Sequence, residues 1–61
     1  MTWKDYFSEL REKALNKEEF DQYVDMWGDY TERIITETDA ARRRHYIQKR
    51  IECERVMMYL T

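Results

Sequence analysis

The chain has 61 residues, a formal net charge of −2 and 39% charged side chains. A domain of this size buries only about 60% of the surface of its unfolded chain, so one domain close to the lower size limit is expected. There is no proline and a single glycine, which disfavours hairpin-rich β architecture because its tight turns depend on such residues. The sequence is rich in aromatic residues, which argues against a disordered chain. An all-α fold is predicted.

Three features bear on the compartment. No apolar run approaches the ~20 residues that a membrane span needs, and residues 1–10 do not resemble a signal peptide. Cys53 is the only cysteine, so no intrachain disulfide can form. We therefore expect a cytoplasmic protein.

The first predicted helix covers residues 3–15. Thr2 is a candidate N-cap, with Asp5 at the third helical position. The helix would carry one apolar stripe, made of Trp3, Tyr6, Phe7, Leu10 and Ala14.

The second predicted helix covers residues 17–36. Asn16 and Glu19 form a capping box, and Leu15 with Phe20 occupies the positions of a hydrophobic staple. Between Phe7 and Phe20 the apolar stripe rotates by roughly 220°, so a corner at Asn16 is needed for both helices to face one core. The expected inner face is Phe20, Tyr23, Val24, Trp27, Tyr30, Thr31 and Ile34. Gly28 lies on the polar flank, where it either is a tolerated surface glycine or permits a close approach.

The third predicted helix covers residues 39–60, after a tight turn near 36–39. The apolar phase shifts by about 200° across that turn. The alternative is one continuous helix over 17–60 with partner chains on both sides. The third helix carries two apolar stripes, one of Ala40, Ile47, Ile51 and Met58 and one of Tyr46, Cys53, Met57 and Leu60. Arg50 and Glu54 are spaced to pair between them. One partner helix cannot cover both apolar stripes. The uncovered apolar surface predicts a homodimer that completes a helical bundle, or a partner site, with a seam at Tyr46, Cys53, Val56, Met57 and Leu60.

Two charged clusters are candidate contacts. Carboxylates recur every three or four residues on the second helix, at Glu18, Asp21, Asp25, Asp29 and Glu32. This acidic face either docks on a basic surface, as a phosphate mimic against a nucleic-acid-binding protein, or is simply solvated. Arg42, Arg43 and Arg44 lie at the start of the third helix, where the helix dipole disfavours positive charge. Lys49 and Arg50 follow them on the same helix. These either contact phosphates or pair with Glu37, Asp39 and the acidic second helix.

No catalytic, cofactor or metal signature is present in the sequence. His45 has no second histidine or suitably spaced carboxylate. Cys53 has no neighbouring histidine or lysine, so a buried or interfacial thiol is expected. Short, charged, aromatic-rich chains without catalytic residues are common among phage and mobile-element products. The sequence thus favours a non-enzymatic protein-interaction module, an adaptor or inhibitor that uses the acidic face or the apolar end of the third helix. The alternative is a nucleic-acid-binding regulator.

Overall fold

The structure is a computed structural model that describes residues 3–61, and this part of the chain is all-α. Its helices are α1 (Trp3–Tyr6), α2 (Ser8–Glu12), α3 (Lys17–Thr36) and α4 (Ala40–Tyr59). The predicted corner at Asn16 and the predicted turn after Thr36 are both present. A continuous helix over 17–60 is therefore wrong.

The first helical segment is divided rather than continuous. Phe7 separates α1 from α2 with φ −98° and ψ 15°, in the sparsely allowed region between helix and extended backbone. Helical hydrogen bonds still run across the break, from Phe7 N to Trp3 O and from Arg11 N to Phe7 O. We call residues 3–14 the N-terminal arm. The predicted cap at Thr2 lies outside the described residues.

The corner between α2 and α3 is built partly as the sequence predicts. The Asn16 side chain accepts a hydrogen bond from Glu19 N at 3.1 Å and so caps α3. The predicted staple between Leu15 and Phe20 is wrong, because Leu15 is 96% exposed. Ala14 is buried beside Phe20 in its place, and Leu15 N donates to Leu60 O at 3.2 Å. The end of α4 is thereby fastened to the corner.

Helices α3 and α4 form an antiparallel hairpin. Trp27 lies against Glu54 and, one turn further along α3, Thr31 lies against Arg50. The Asp39 side chain starts α4 by accepting from Arg42 N at 3.0 Å. The core between hairpin and arm consists of Ala14, Phe20, Val24, Trp27, Cys53 and Met57. The principal extents of 37 × 23 × 14 Å describe a flat molecule, so each helix of the hairpin keeps one uncovered face.

Candidate functional site

Trp27 is the residue on which the arm and both long helices meet. The rings of Trp3 and Phe7 contact its ring edge-on at centroid distances of 4.9 and 5.0 Å. From α4, Glu54 Oε1 accepts a hydrogen bond from Trp27 Nε1 at 2.9 Å, and the Arg50 guanidinium lies 5.4 Å from the ring centroid. The predicted pairing of Arg50 with Glu54 is not among the ion pairs of residues 3–61, and both side chains contact the Trp27 indole instead.

Gly28 allows the arm to approach α3 closely. A Cβ built on Gly28 would overlap Trp3 Cδ1 and lie 2.9 Å from Trp3 Nε1, so the indole of Trp3 occupies the space that a side chain would take. Gly28 is buried by this contact. Of the two readings left open by the sequence, the close approach is the one that the structure shows.

The acidic row of α3 is exposed except at one position. Glu18, Asp25, Asp29 and Glu32 face solvent, and the row spans about 21 Å at 1.5 Å per residue. Asp21 does not belong to this free surface, because Arg11 binds its two carboxylate oxygens at 2.8 and 3.1 Å. The hydrogen bond from Arg11 lowers the pKa of Asp21 below its ordinary value. Nothing in the local sequence pattern predicts this pair, which links α2 to α3 across the corner.

The two apolar stripes of α4 have different surroundings. The stripe that includes Cys53 and Met57 faces the core, and these two side chains are 3% and 0% exposed. They are therefore unavailable as members of the predicted seam, because the intrachain core already covers them. The other three seam residues, Tyr46, Val56 and Leu60, are half-buried.

The stripe of α4 that does not face the core is the more exposed of the two. We define the outer stripe as Ala40, Ile47, Ile51 and Met58. Ile47 is 37% and Met58 is 68% exposed. At its far end Met58 lines an open cleft of about 260 Å³ together with Tyr6 and Leu10 of the arm. Tyr6 is itself 64% exposed, so the apolar surface continues from α4 onto the arm.

The basic start of α4 only partly matches the predicted cluster. Arg42, Arg43 and Arg44 are exposed, and none of them forms an ion pair within residues 3–61. The nearby carboxylates act on the backbone instead: Glu37 accepts from Asp39 N, and Asp39 caps α4. Lys49 pairs with Glu52 at 3.4 Å.

Arg50 does not belong to the exposed basic cluster. It is half-buried over Trp27, and its Nη1 donates to Thr31 Oγ1 at 3.4 Å. Three of the five cations that the sequence grouped as a phosphate contact are consequently exposed and unpaired.

Cys53 and His45 are two further side chains with reactive chemistry, and Cys53 is buried. Burial raises the pKa of the Cys53 thiol, which lowers its thiolate fraction at neutral pH. His45 is exposed, with its ring 5.8 Å from that of Tyr46. Across residues 3–61 no three His, Cys, Asp or Glu side chains are grouped to hold a metal ion, and no helix in that range has the length and apolar character of a membrane span.

Comparison with known proteins gives no match for this chain: no family model, no curated protein and no solved structure is significantly similar to it.

Proposed function

We propose that this chain is a non-enzymatic protein-interaction module, a small adaptor or inhibitor that docks through the outer stripe and the apolar end of α4. The observation that carries the proposal is the exposure of Met58 at 68% and Tyr59 at 89%, with Leu15 at 96% beside the same helix end. Large apolar patches on a small domain mark contact sites, because their hydration is unfavourable. The acidic row of α3 offers a second contact.

The test places a photo-cross-linking amino acid at position 58 and, separately, at position 25 in the acidic row. Cross-linking in an extract of the source cells should capture one defined protein through position 58, and Met58→Glu should abolish its binding. Asp25→Lys with Glu32→Lys asks whether the acidic row contributes. Helix content measured by circular dichroism should be unchanged in each variant, because the replaced residues are exposed. Failure to capture any protein through either position refutes the proposal.

Self-association through the same surface is the second arrangement, and it would complete the helical bundle that the sequence predicts. A dimer through the outer stripe would not include the predicted seam, because at 100° per residue Tyr46, Val56 and Leu60 lie about 120–160° away from that stripe on α4. Molar mass in solution over a dilution series decides between the two, because a dimer dissociates on dilution and a monomer keeps one mass.

Nucleic-acid binding is a separate candidate function, favoured by the exposed and unpaired Arg42, Arg43 and Arg44. Phosphate contacts release counterions, so affinity should fall steeply with salt. Filter binding at two salt concentrations tests this, with the triple variant Arg42→Gln, Arg43→Gln, Arg44→Gln as the control that must lose the affinity.

A further inference from the structure

The outer stripe forms a continuous ridge on one side of α4. At 100° per residue its four side chains fall within about 40°, and they extend over about 27 Å of helix. The core-facing side chains Cys53 and Met57 point away from it, and the arm packs chiefly on α3. Three of the four ridge side chains are exposed and Ile51 is half-buried, so a helix of another chain could still reach the ridge.

The flanks of this ridge are positively charged. Arg43 lies about 60° to one side of the stripe, and Arg44 and Arg55 lie about 40–60° to the other. All three are exposed and without an ion pair in residues 3–61. Glu54 lies about 40° from the stripe on the same side as Arg43, and one of its carboxylate oxygens accepts a hydrogen bond from Trp27. The flank formed by Arg44 and Arg55 is therefore the more strongly positive one. As a whole, α4 contains six basic and two acidic residues.

A second copy of this chain matches the ridge less well than an acidic helix does. In an antiparallel pair of α4 helices centred on the stripe, Arg44 of one copy would face Arg55 of the other, while Arg43 would lie near Glu54 on the opposite flank. A parallel pair would bring Arg43 against Arg44 and Glu54 against Arg55. Either pairing thus sets one like-charge contact against one favourable contact, whereas an acidic helix avoids the like charges, which disfavour association. The acidic α3 offers no replacement, since its outer face carries carboxylates where the ridge needs apolar side chains.

We propose that the outer stripe of α4 binds an acidic amphipathic helix of another protein. Such a helix presents apolar anchors at positions i, i+4, i+7 and i+11, and the ridge offers Ile47, Ile51 and Met58 at the first, second and fourth of these spacings. Its flanking Asp or Glu side chains would meet Arg43, Arg44 and Arg55, whose planar guanidinium groups bind carboxylates in pairs of hydrogen bonds. This inference rests on the proposed interaction function and names the class of partner.

The test uses two synthetic helical peptides of about 20 residues that share leucine at the four anchor positions. One peptide has glutamate on both flanks and the other has lysine. Fluorescence anisotropy should show saturable binding of the glutamate peptide and binding of the lysine peptide that is weaker by about tenfold or more. The preference should shrink at higher salt, because the flanking charges are exposed.

Two variants and one matched control locate the binding. Ile51→Glu should abolish binding, whereas Ile35→Glu, the same change at a 73% exposed position on α3, should leave it unchanged. Arg44→Glu combined with Arg55→Glu should reverse the preference toward the lysine peptide. Circular dichroism checks that each variant is folded.

Several results would overturn the inference. They are equal binding of both peptides, undiminished binding by Ile51→Glu, and a dimer that Ile51→Glu converts to a monomer. Displacement of the glutamate peptide by a 20-nucleotide single-stranded DNA would show that the arginines select phosphates instead. A partner that cross-links through position 58 but is indifferent to the arginine reversal would leave the interaction function standing and refute only the acidic helix.

Discussion

Replacing Gly28 with alanine tests whether the indole of Trp3 really occupies the space above α3. In an ordinary exposed helix interior, Gly→Ala stabilises by about 1 kcal/mol. Here the new Cβ would overlap Trp3 Cδ1, so the ring must move. Trp3 is 38% exposed, so its covered area is about 150 Å² of the roughly 250 Å² that a tryptophan can bury. At ~25 cal/mol per Å² that contact is worth at most about 4 kcal/mol.

Partial displacement of the ring should cost about half of that upper value, or ~2 kcal/mol. Subtracting the propensity gain of about 1 kcal/mol leaves Gly28→Ala destabilising by ~1 kcal/mol, a fall in Tm of about 4–8 °C. In a Trp3→Ala background the same change should instead stabilise by about 1 kcal/mol, because the obstacle is gone. Urea unfolding followed by circular dichroism measures all four members of this cycle. Stabilisation by Gly28→Ala in the unaltered chain would show that Trp3 does not sit there.

Three further outcomes follow from the packing and the caps. Met57→Ala should cost about 2–5 kcal/mol, whereas Met58→Ala, at the exposed neighbouring position, should stay within about 0.5 kcal/mol in urea unfolding; equal costs would contradict the assignment of the two stripes. Asn16→Ala should cost about 1 kcal/mol through loss of the α3 cap, with Leu15→Ala as a nearly neutral control in the same assay. Because Arg11 lowers the pKa of Asp21 in the folded chain, the stability from this pair is present above about pH 4 and is lost as the pH falls through the folded pKa; the acid side of a stability–pH curve should therefore be flatter for Asp21→Asn, and identical curves would exclude the pair.

The elements of the hairpin could be predicted from local chemistry. Asn16 and Asp39 are caps whose side chains act within three residues, and the inner face of α3 follows from a period of 3.6. Contacts between segments that are far apart in sequence could not be predicted in this way. The Arg11–Asp21 pair and the seat of Trp3 on Gly28 depend on the angle at the corner, which no residue type specifies by itself.

The choice between the two stripes of α4 was also beyond the sequence. Both stripes have the same period and similar apolar content, so periodicity cannot say which one faces α3. The structure resolves this through Trp27, which engages Glu54 and Arg50 and thereby turns Cys53 and Met57 inward. The core covers Cys53 and Met57 of the predicted seam for this reason, and exposed apolar surface lies on the stripe that includes Ile47 and Met58.

The edge contact of Trp3 with Trp27 has an optical consequence. The chain contains two tryptophans, and both belong to this one pair at 4.9 Å, close enough for their excited states to couple. Docking of the arm should thus imprint a paired positive and negative band in the ultraviolet dichroism that backbone helicity does not produce. Undocking of the arm would remove this dichroism signal while the hairpin stays folded. The two tryptophans are therefore an intrinsic spectroscopic probe of arm docking.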